Sequence, residues 1–482
     1  MIRKKAYDYV VVGGGFAGLN AVAGLQKFRP GASILCVDKR PGPGGSWNDY
    51  YDFCRLHAPH PSFGVAGHAW GLDDPNRLAT RDEVVDHFST FALGRGGLDF
   101  VGGRRYVGCE EEGVSGGLVA TFADGEAVEA GQVITAAGYD YDCHMPRAKD
   151  ARSDGSDAPE IDARDLPRVA AEDRARDRLY VVVGGGKTGM DAVGYLDERK
   201  RSDDDVVLVS GTTKAFFVRD VVFPDQGTQS LFQPMITEVM LDMIDAWDGT
   251  AASEAAILGE QTRAGTLCVV GEDGGNAVFN TSLGILSLAE KARVEATAKI
   301  FRDDHYVGLS VQEGRRTTVE LTSGKSFETT KDVVVVNARS SFGDRLHAYS
   351  RDVHPMRPDG SLDFGSLVGF TGHTNYLLAA LSAKHDPDIF SKVDLYGRRS
   401  LAGPDDNFIF AYLLKVYANL TNVLPALGMR NYLDPAYSIN ATRWYSTARR
   451  VVGLLKLLRA KQPILDKANT LLRRLEPGDD QP

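Results

Sequence analysis

The feature that most restricts this chain is a glycine-rich turn that occurs twice, each time between an apolar strand-like run and a helix-periodic segment. In the first copy, residues 7–12 read as a buried strand, Gly13-Gly14-Gly15-Phe16-Ala17-Gly18 follows at once, and apolar residues recur at helical spacing over 19–28. G-x-G-x-x-G in that setting is the pattern of a dinucleotide-binding turn. Gly13 makes the tight turn, Gly15 lets the backbone approach a pyrophosphate, and Gly18 permits close helix packing. The helix then presents unpaired N–H groups and its positive end to the phosphates. A second strand over 33–37 ends in Asp38, where a carboxylate accepts hydrogen bonds from ribose hydroxyls.

The second copy runs from a strand at 180–183 through Gly184-Gly185-Gly186-Lys187-Thr188-Gly189 to a helix at 190–196 and a strand at 206–209. Its Gly-Lys-Thr invites a nucleoside-triphosphatase reading, but that motif needs glycine at 181, which is Val181. The strand ends at Ser210 rather than at an acid, with Lys214 and Arg219 soon after. An acid there would repel a 2′-phosphate, whereas a basic side chain pairs with it, so the expected nucleotide is NADPH in preference to NADH. Lys214 is either such a partner or a solvated surface charge, and Lys187 reaches either the pyrophosphate or water.

Beyond the first turn, Asp38-Lys39-Arg40-Pro41-Gly42-Pro43-Gly44-Gly45-Ser46-Trp47 resembles the acid-to-Gly-Gly-x-Trp segment of flavin-dependent monooxygenases. Arg55-Leu56-His57-Ala58-Pro59-His60-Pro61 resembles the Leu-His-x-Pro segment of the auxin-pathway members of that group. The 80–88 stretch is similar to the family's helix before its inserted strands, and Val107 stands where a backbone contact to adenine is expected. Ala136-Ala137-Gly138 replaces the family's Ala-Thr-Gly. The resemblance implies FAD at the first turn, contacted by Gly13, Gly15, Phe16, Ala17, Gly18, Asp38, Lys39, Gly45, Ser46, Trp47, Leu56, His57, Val107, Ala137 and Gly138. His57 and His60 either donate to the flavin or a peroxide, or are fixed structurally between prolines.

Residues 140–178, rich in Asp, Arg, Ala and Pro, read as an exposed connection, with a domain boundary near 177. Residues 225–265 look mainly helical, an insertion packing over the nicotinamide domain, and their methionines read more readily as helix core than as a substrate channel. A strand at 331–336, followed by Arg339 in a catalytic or structural role, suggests return to the FAD sheet. A last strand is expected at 366–370, then a helix at 376–382 whose N-terminus faces the flavin pyrimidine, with Thr374 and Asn375 as hydrogen-bond donors or a plain N-cap. From 405 the chain looks helical, with Pro463 separating two basic amphipathic helices.

The expected architecture is α/β: an FAD domain at 1–140 and 331–400, an NADPH domain inserted at 177–330, and a mostly helical, basic region at 401–482. At 43% apolar and 25% charged, the 482 residues suit folded domains rather than disorder. Apolar runs too short to span a membrane and a start without a signal-peptide core lead us to expect a cytoplasmic protein. Five cysteines without a C-x-x-C pair offer neither a redox-active disulfide nor a zinc site of the usual spacing, and no metal is expected. Residues 441–475 hold nine Lys or Arg and one acid in a chain of net charge −10. That tail either meets an anionic membrane or an acidic carrier protein, or packs back on the fold. No nucleic-acid partner is expected, and the oligomeric state is open.

Together these segments resemble the flavin-containing monooxygenase superfamily over about residues 1–400. The resemblance implies that NADPH reduces FAD, that O2 adds to give a C4a-hydroperoxide, and that a small organic or carrier-tethered substrate is oxygenated at nitrogen, sulfur or a carbonyl. One departure is the absence of the Phe-x-Gly-x-x-x-His signature, whose place is taken by Glu160-Ile161-Asp162-Ala163. The alternatives are an NADPH-dependent flavin reductase or dehydrogenase with another acceptor, and a non-catalytic binding protein on the same fold.

Overall fold

The computed structural model describes residues 6–475 except 95, 112–116, 137–159, 226–230, 232, 272–279, 312–315, 340–354, 365–370, 394, 396–407 and 435–441. Ala137, Gly138 and the strand expected at 366–370 lie outside the described residues.

The first unit runs β1 (Ala6–Val12), α1 (Phe16–Phe28), β2 (Ile34–Asp38), α2 (Arg81–Gly94), β3 (Leu98–Gly102), β4 (Tyr106–Glu111), β5 (Leu118–Phe122) and β6 (Ala127–Thr135). Its sheet has the order β3-β2-β1-β6-β5-β4. β1 to β3 and β6 are parallel, and β2 is buried at every position, as a strand covered on both faces must be. β4 and β5 add an antiparallel meander.

After the short strand β7 (Glu160–Asp162) the plan repeats with β8 (Arg178–Val183), α3 (Lys187–Arg199) and β9 (Asp205–Gly211). Next come β10 (Lys214–Val218), α4 (Ile236–Ala246), α5 (Ala251–Arg263), β11 (Leu267–Cys268), β12 (Asn280–Leu286) and α6 (Leu288–Thr297). The unit closes with β13 (Lys299–Arg302), a meander of β14 (Tyr306–Val311), β15 (Thr317–Leu321) and β16 (Ser326–Thr329), and β17 (Asp332–Asn337). The second sheet is parallel, in the order β13-β9-β8-β17-β7.

The strand expected to rejoin the first sheet is β17, and it does not. It pairs β8 from Asp332↔Arg178 to Asn337↔Val183, as β6 pairs β1 in the first unit. The Ala338 N–H bonds the Val183 carbonyl at 2.8 Å, just as the Ala136 N–H bonds Val12 at 2.8 Å. An apolar Val-rich strand fits either sheet; the meander before it decides which. The return comes later, where β18 (Leu362–Asp363) pairs β6.

The chain ends in α7 (Thr371–His385), α8 (Phe408–Leu427) and α9 (Thr447–Leu475). Two expectations change here. Pro463 lies inside one continuous 29-residue helix. The inserted α4 packs on α8 and α9 rather than over the nicotinamide domain, while α5 covers β11 and β12. One apolar core therefore joins α1 and α7 to α4, α8 and α9. Among the described residues, no helix is long and apolar enough to cross a membrane.

Candidate functional site: two glycine turns and the loop between them

At the first turn Gly13 has φ +119°, and its N–H reaches the Val37 carbonyl at 2.7 Å. A Cβ on Gly18 would lie 1.7 Å from the Gly13 oxygen, so helix and turn touch backbone to backbone. Gly15 caps α1 without a side-chain bond, leaving the first-turn N–H groups facing outward. The buried Asp38 accepts from the Gly14 N–H at 2.6 Å and the Arg40 N–H at 2.7 Å, which fixes its carboxylate at the tip of β2.

The second turn is built alike. Gly184 has φ +130°, its N–H reaches Val209 at 2.9 Å, and a Cβ on Gly189 would lie 2.0 Å from the Gly184 oxygen. Ser210 takes the place of Asp38, with Gly185 donating to its main-chain carbonyl at 3.1 Å.

The Gly-Gly-x-Trp loop comes back onto the first turn: Gly44 donates to the Gly14 carbonyl at 2.9 Å, and a Cβ on Gly15 would lie 3.0 Å from Gly45 Cα. Two bare backbones thus face one another where a pyrophosphate would run. Phe16 stacks on Phe63 at 4.0 Å, and Gly372 at the start of α7 lies against the Phe16 ring. The N-termini of α1 and α7 are therefore neighbours; Thr374 and the buried Asn375 lie inside α7, which begins at Thr371 rather than at 376, so neither is its N-cap. Leu56 is buried, Lys39 is exposed, and Val107 is an exposed residue at a bulge in β4. Arg104 ties the approach to β4 back to the Asp38 carbonyl at 2.8 Å.

Loop 44–57 also reaches the second unit. Trp47 packs on both apolar cores. The Tyr51 hydroxyl donates to Asp191 at 2.8 Å and meets Thr188. Lys187 pairs with Asp191 and lies 3.8 Å from Glu290; Arg219 pairs with Glu290 and donates to the His57 carbonyl at 3.0 Å. Glu290 itself caps α6 by accepting from the Ser287 N–H at 2.7 Å. Lys187 and Arg219, expected on NADPH phosphates, are in this structure held in a chain of ion pairs within the second unit, which meets loop 44–57 through the Tyr51–Asp191 and Arg219–His57 hydrogen bonds. Lys214, on β10, makes no ion pair among the described residues, and burial lowers its pKa.

The three residues expected to be catalytic are placed differently. His57 Nδ1 accepts from the Ile285 N–H at 3.2 Å, so its proton sits on Nε2. Burial, then the Lys187 and Arg219 charges, push its pKa down to about 4, keeping the ring neutral. Buried His60 donates from Nδ1 to the Arg77 carbonyl at 3.2 Å, edge-on to Trp70, and holds the 60–77 loop. Arg339 pairs with Glu160 at 2.9 Å and bonds Asn337 at 2.9 Å, on the rim of the second turn beside Gly184 rather than at the first.

Sequence reasoning missed Tyr51, Asp191 and Glu290. Glu290 carried a signal in the Ser287-x-x-Glu290 capping box, and Asp191 one in its i,i+4 spacing from Lys187. Among the described residues Cys36, Cys54, Cys109 and Cys268 are buried free thiols. Burial raises the Cys54 pKa to about 12 and that of Cys268 to about 11, which disfavours thiolate chemistry. Among the same residues no cluster of His, Cys, Asp or Glu could hold a metal ion.

Residues 7–222 match the pyridine nucleotide-disulphide oxidoreductase family. Uncharacterized proteins of Mycobacterium tuberculosis and Mycobacterium bovis are 31% identical over 206 residues, 39% of this chain and 35% of theirs. The match thus spans about a third of the length of these relatives. An oxidized steroid monooxygenase bound to NADP superposes with a TM-score of 0.52 at 14% identity, over 94% of this chain and 98% of that one. The OTEMO complex with FAD and NADP gives 0.50 at 14% identity, over 81% and 86%. The fold of the chain is thus similar to that of the steroid monooxygenase structure, and the match to the pyridine nucleotide-disulphide oxidoreductase family takes in the first glycine turn and the second.

Proposed function

We propose that the chain is a flavin-dependent oxidoreductase that binds FAD at the first turn and NADPH at the second, and works as a monooxygenase on a small organic or carrier-tethered substrate. The observation that carries this reading is the pair of matching glycine turns, one closed by Asp38 and the other by Ser210, with loop 44–57 bonded to both. The fit to FAD rests on the bare Gly15–Gly45 approach, the fixed Asp38 carboxylate and the adjacent start of α7. The flavin, when bound, supplies electron transfer and oxygen chemistry.

This chain's own contribution is positional. Gly13, Gly15 and Gly18 admit the pyrophosphate, α1 offers its N–H groups, and Asp38 receives ribose hydroxyls. Thr374 and Asn375 face the pyrimidine end, where the positive end of α7 favours added negative charge. Neutral His57 fixes the loop between the nucleotides by accepting from the Ile285 N–H. The Tyr51–Asp191 and Arg219–His57 hydrogen bonds tie loop 44–57 to the second unit, and the Lys187-Glu290-Arg219 ion pairs brace that contact.

The test is anaerobic titration with NADPH followed by mixing with air. Bleaching of bound flavin and a two-step return of its absorbance in air are expected. Bleaching with return only on adding another electron acceptor would replace the oxygenase reading with the reductase one. No bleaching at all would leave a binding protein.

A further inference from the structure

The densest group of exposed large apolar side chains among the described residues is on α9, where Val451, Val452, Leu455 and Leu458 are 37%, 41%, 51% and 42% exposed. Val451, Leu455 and Leu458 recur at i, i+4 and i+7, and Val452 precedes Leu455 by three, so the four form one stripe about 10 Å long on the solvent side of the helix. The opposite face is buried through Leu454, Leu457, Ile464, Ala468 and Leu471. α9 thus has two apolar faces, and the fold covers one of them.

The helix is held so that it cannot roll to hide the stripe. Arg449 donates to Glu238 Oε1 at 2.8 Å inside the core, Gly453 leaves no room for a side chain against Met235, and Lys467 donates to the Ile244 and Asp245 carbonyls at 2.7 and 2.8 Å. Cations border the stripe: Arg459 follows Leu455 by four positions, and Lys461 follows Leu458 by three. Neither makes an ion pair among the described residues, nor does the exposed Arg473 farther along. Acids nearby are engaged. Asp466, the one acid of α9, accepts from Gln462 at 2.8 Å, and Asp242 of α4 accepts from Lys456 at 2.7 Å. Asp245 and Asp248 act on Lys467, past the end of the stripe.

We propose that this face of α9 docks on a membrane surface bearing anionic phospholipid. Val451, Val452, Leu455 and Leu458 enter the boundary between headgroups and acyl chains, and Arg459 and Lys461 pair with the headgroups. The charge pattern selects this occupant. A second copy of the chain would set Arg459 and Lys461 against their own equivalents, and like charges oppose that contact. An anionic surface attracts them and repels the rest of a chain of net charge −10, which turns α9 toward it. Each cation near such a surface multiplies binding by roughly fivefold, so the pair favours an anionic over a neutral surface by about 25-fold. The helix lies along the membrane rather than through it, as no described helix is long and apolar enough to cross.

The experiment is flotation of the full-length protein with vesicles of phosphatidylcholine alone and of phosphatidylcholine mixed with phosphatidylserine, beside sedimentation velocity without lipid. Wild type should bind the mixed vesicles roughly tenfold or more above the neutral ones and lose that excess in high salt. Leu455→Ser with Leu458→Ser should cut binding to the mixed vesicles at least about tenfold. Arg459→Glu with Lys461→Glu should remove the preference for phosphatidylserine. Equal binding to both vesicles overturns the proposal, and binding to neither overturns it in favour of a protein partner. Undiminished binding by the serine variant also overturns it, because the contact would then lie elsewhere. A wild-type dimer that the serine substitutions dissolve would give the face to a second copy instead. Should the serine variant fail to fold, the glutamate variant decides: a retained preference would refute the proposal, and a lost one would uphold it.

Discussion

A Cβ at position 18 would occupy the space of the Gly13 carbonyl, and one at 189 that of the Gly184 carbonyl, so the two glycines give a matched pair of probes. Gly18→Ala is expected to strip most of the flavin from the purified protein. Gly189→Ala should leave flavin content unchanged and raise the NADPH Kd at least about tenfold, read by fluorescence titration. His57 gives a pH prediction. Its value in the fold, about 4, lies below the free value of 6.5, so the unfolded chain takes up the proton first as pH falls. The fold therefore loses stability between about pH 6.5 and 4, on the order of 2–3 kcal/mol at most, and none of that loss appears above 6.5. In urea unfolding at several pH values, His57→Gln should flatten that slope; an unchanged slope would assign it to other groups. The motif positions were legible as types, because glycine at a phosphate turn has no substitute. The partners of His57 and Arg219 were not, since Ile285 and Glu290 reach them through tertiary contact; Asp191 is an i,i+4 neighbour of Lys187 on one helix.

At the scale of elements, α9 differs most from its sequence pattern. A proline in a helix interior removes one backbone bond and ends or bends most helices, yet α9 continues through Pro463. Leu454, Leu457, Ile464, Ala468 and Leu471 are buried on one face, and their spacing keeps both halves of the helix on the same core. Pro463 itself is exposed, so the cost of the missing bond is not offset locally. Pro463→Ala should stabilise the protein by up to about 3 kcal/mol, seen as a higher Tm. Part of the basic character of this region is taken up by contacts within the fold. Arg449 pairs with Glu238 in the core, Arg450 is buried, Lys456 pairs with Asp242, and Lys467 donates to the Ile244 and Asp245 carbonyls. Packing back thus engages these four cations of the tail.

For the whole molecule, the question is what keeps two separately cored sheets in register. Loop 44–57 and the Tyr51-Asp191-Lys187-Glu290-Arg219 chain do so. Burial of Glu290 is outweighed by Lys187 and Arg219, so its pKa falls and it stays ionised at neutral pH. Glu290→Gln keeps a group that can still cap α6 but removes the charge that holds both cations. Stopped-flow reduction by NADPH should slow roughly tenfold or more, because small misplacements between reacting groups are costly, while flavin content stays the same. Unchanged reduction would mean that the packing of Trp47 suffices.

Taken alone, the sequence determined the two βαβ turns, their glycines, the Asp38 to Ser210 contrast and the helical end, because these are local patterns whose spacing follows from backbone geometry. Only the tertiary structure decided which sheet receives β17, that α9 is continuous, and which backbone groups His57 and His60 bond. Strand pairing such as Asp332 with Arg178 joins residues more than a hundred positions apart, and no local spacing encodes it.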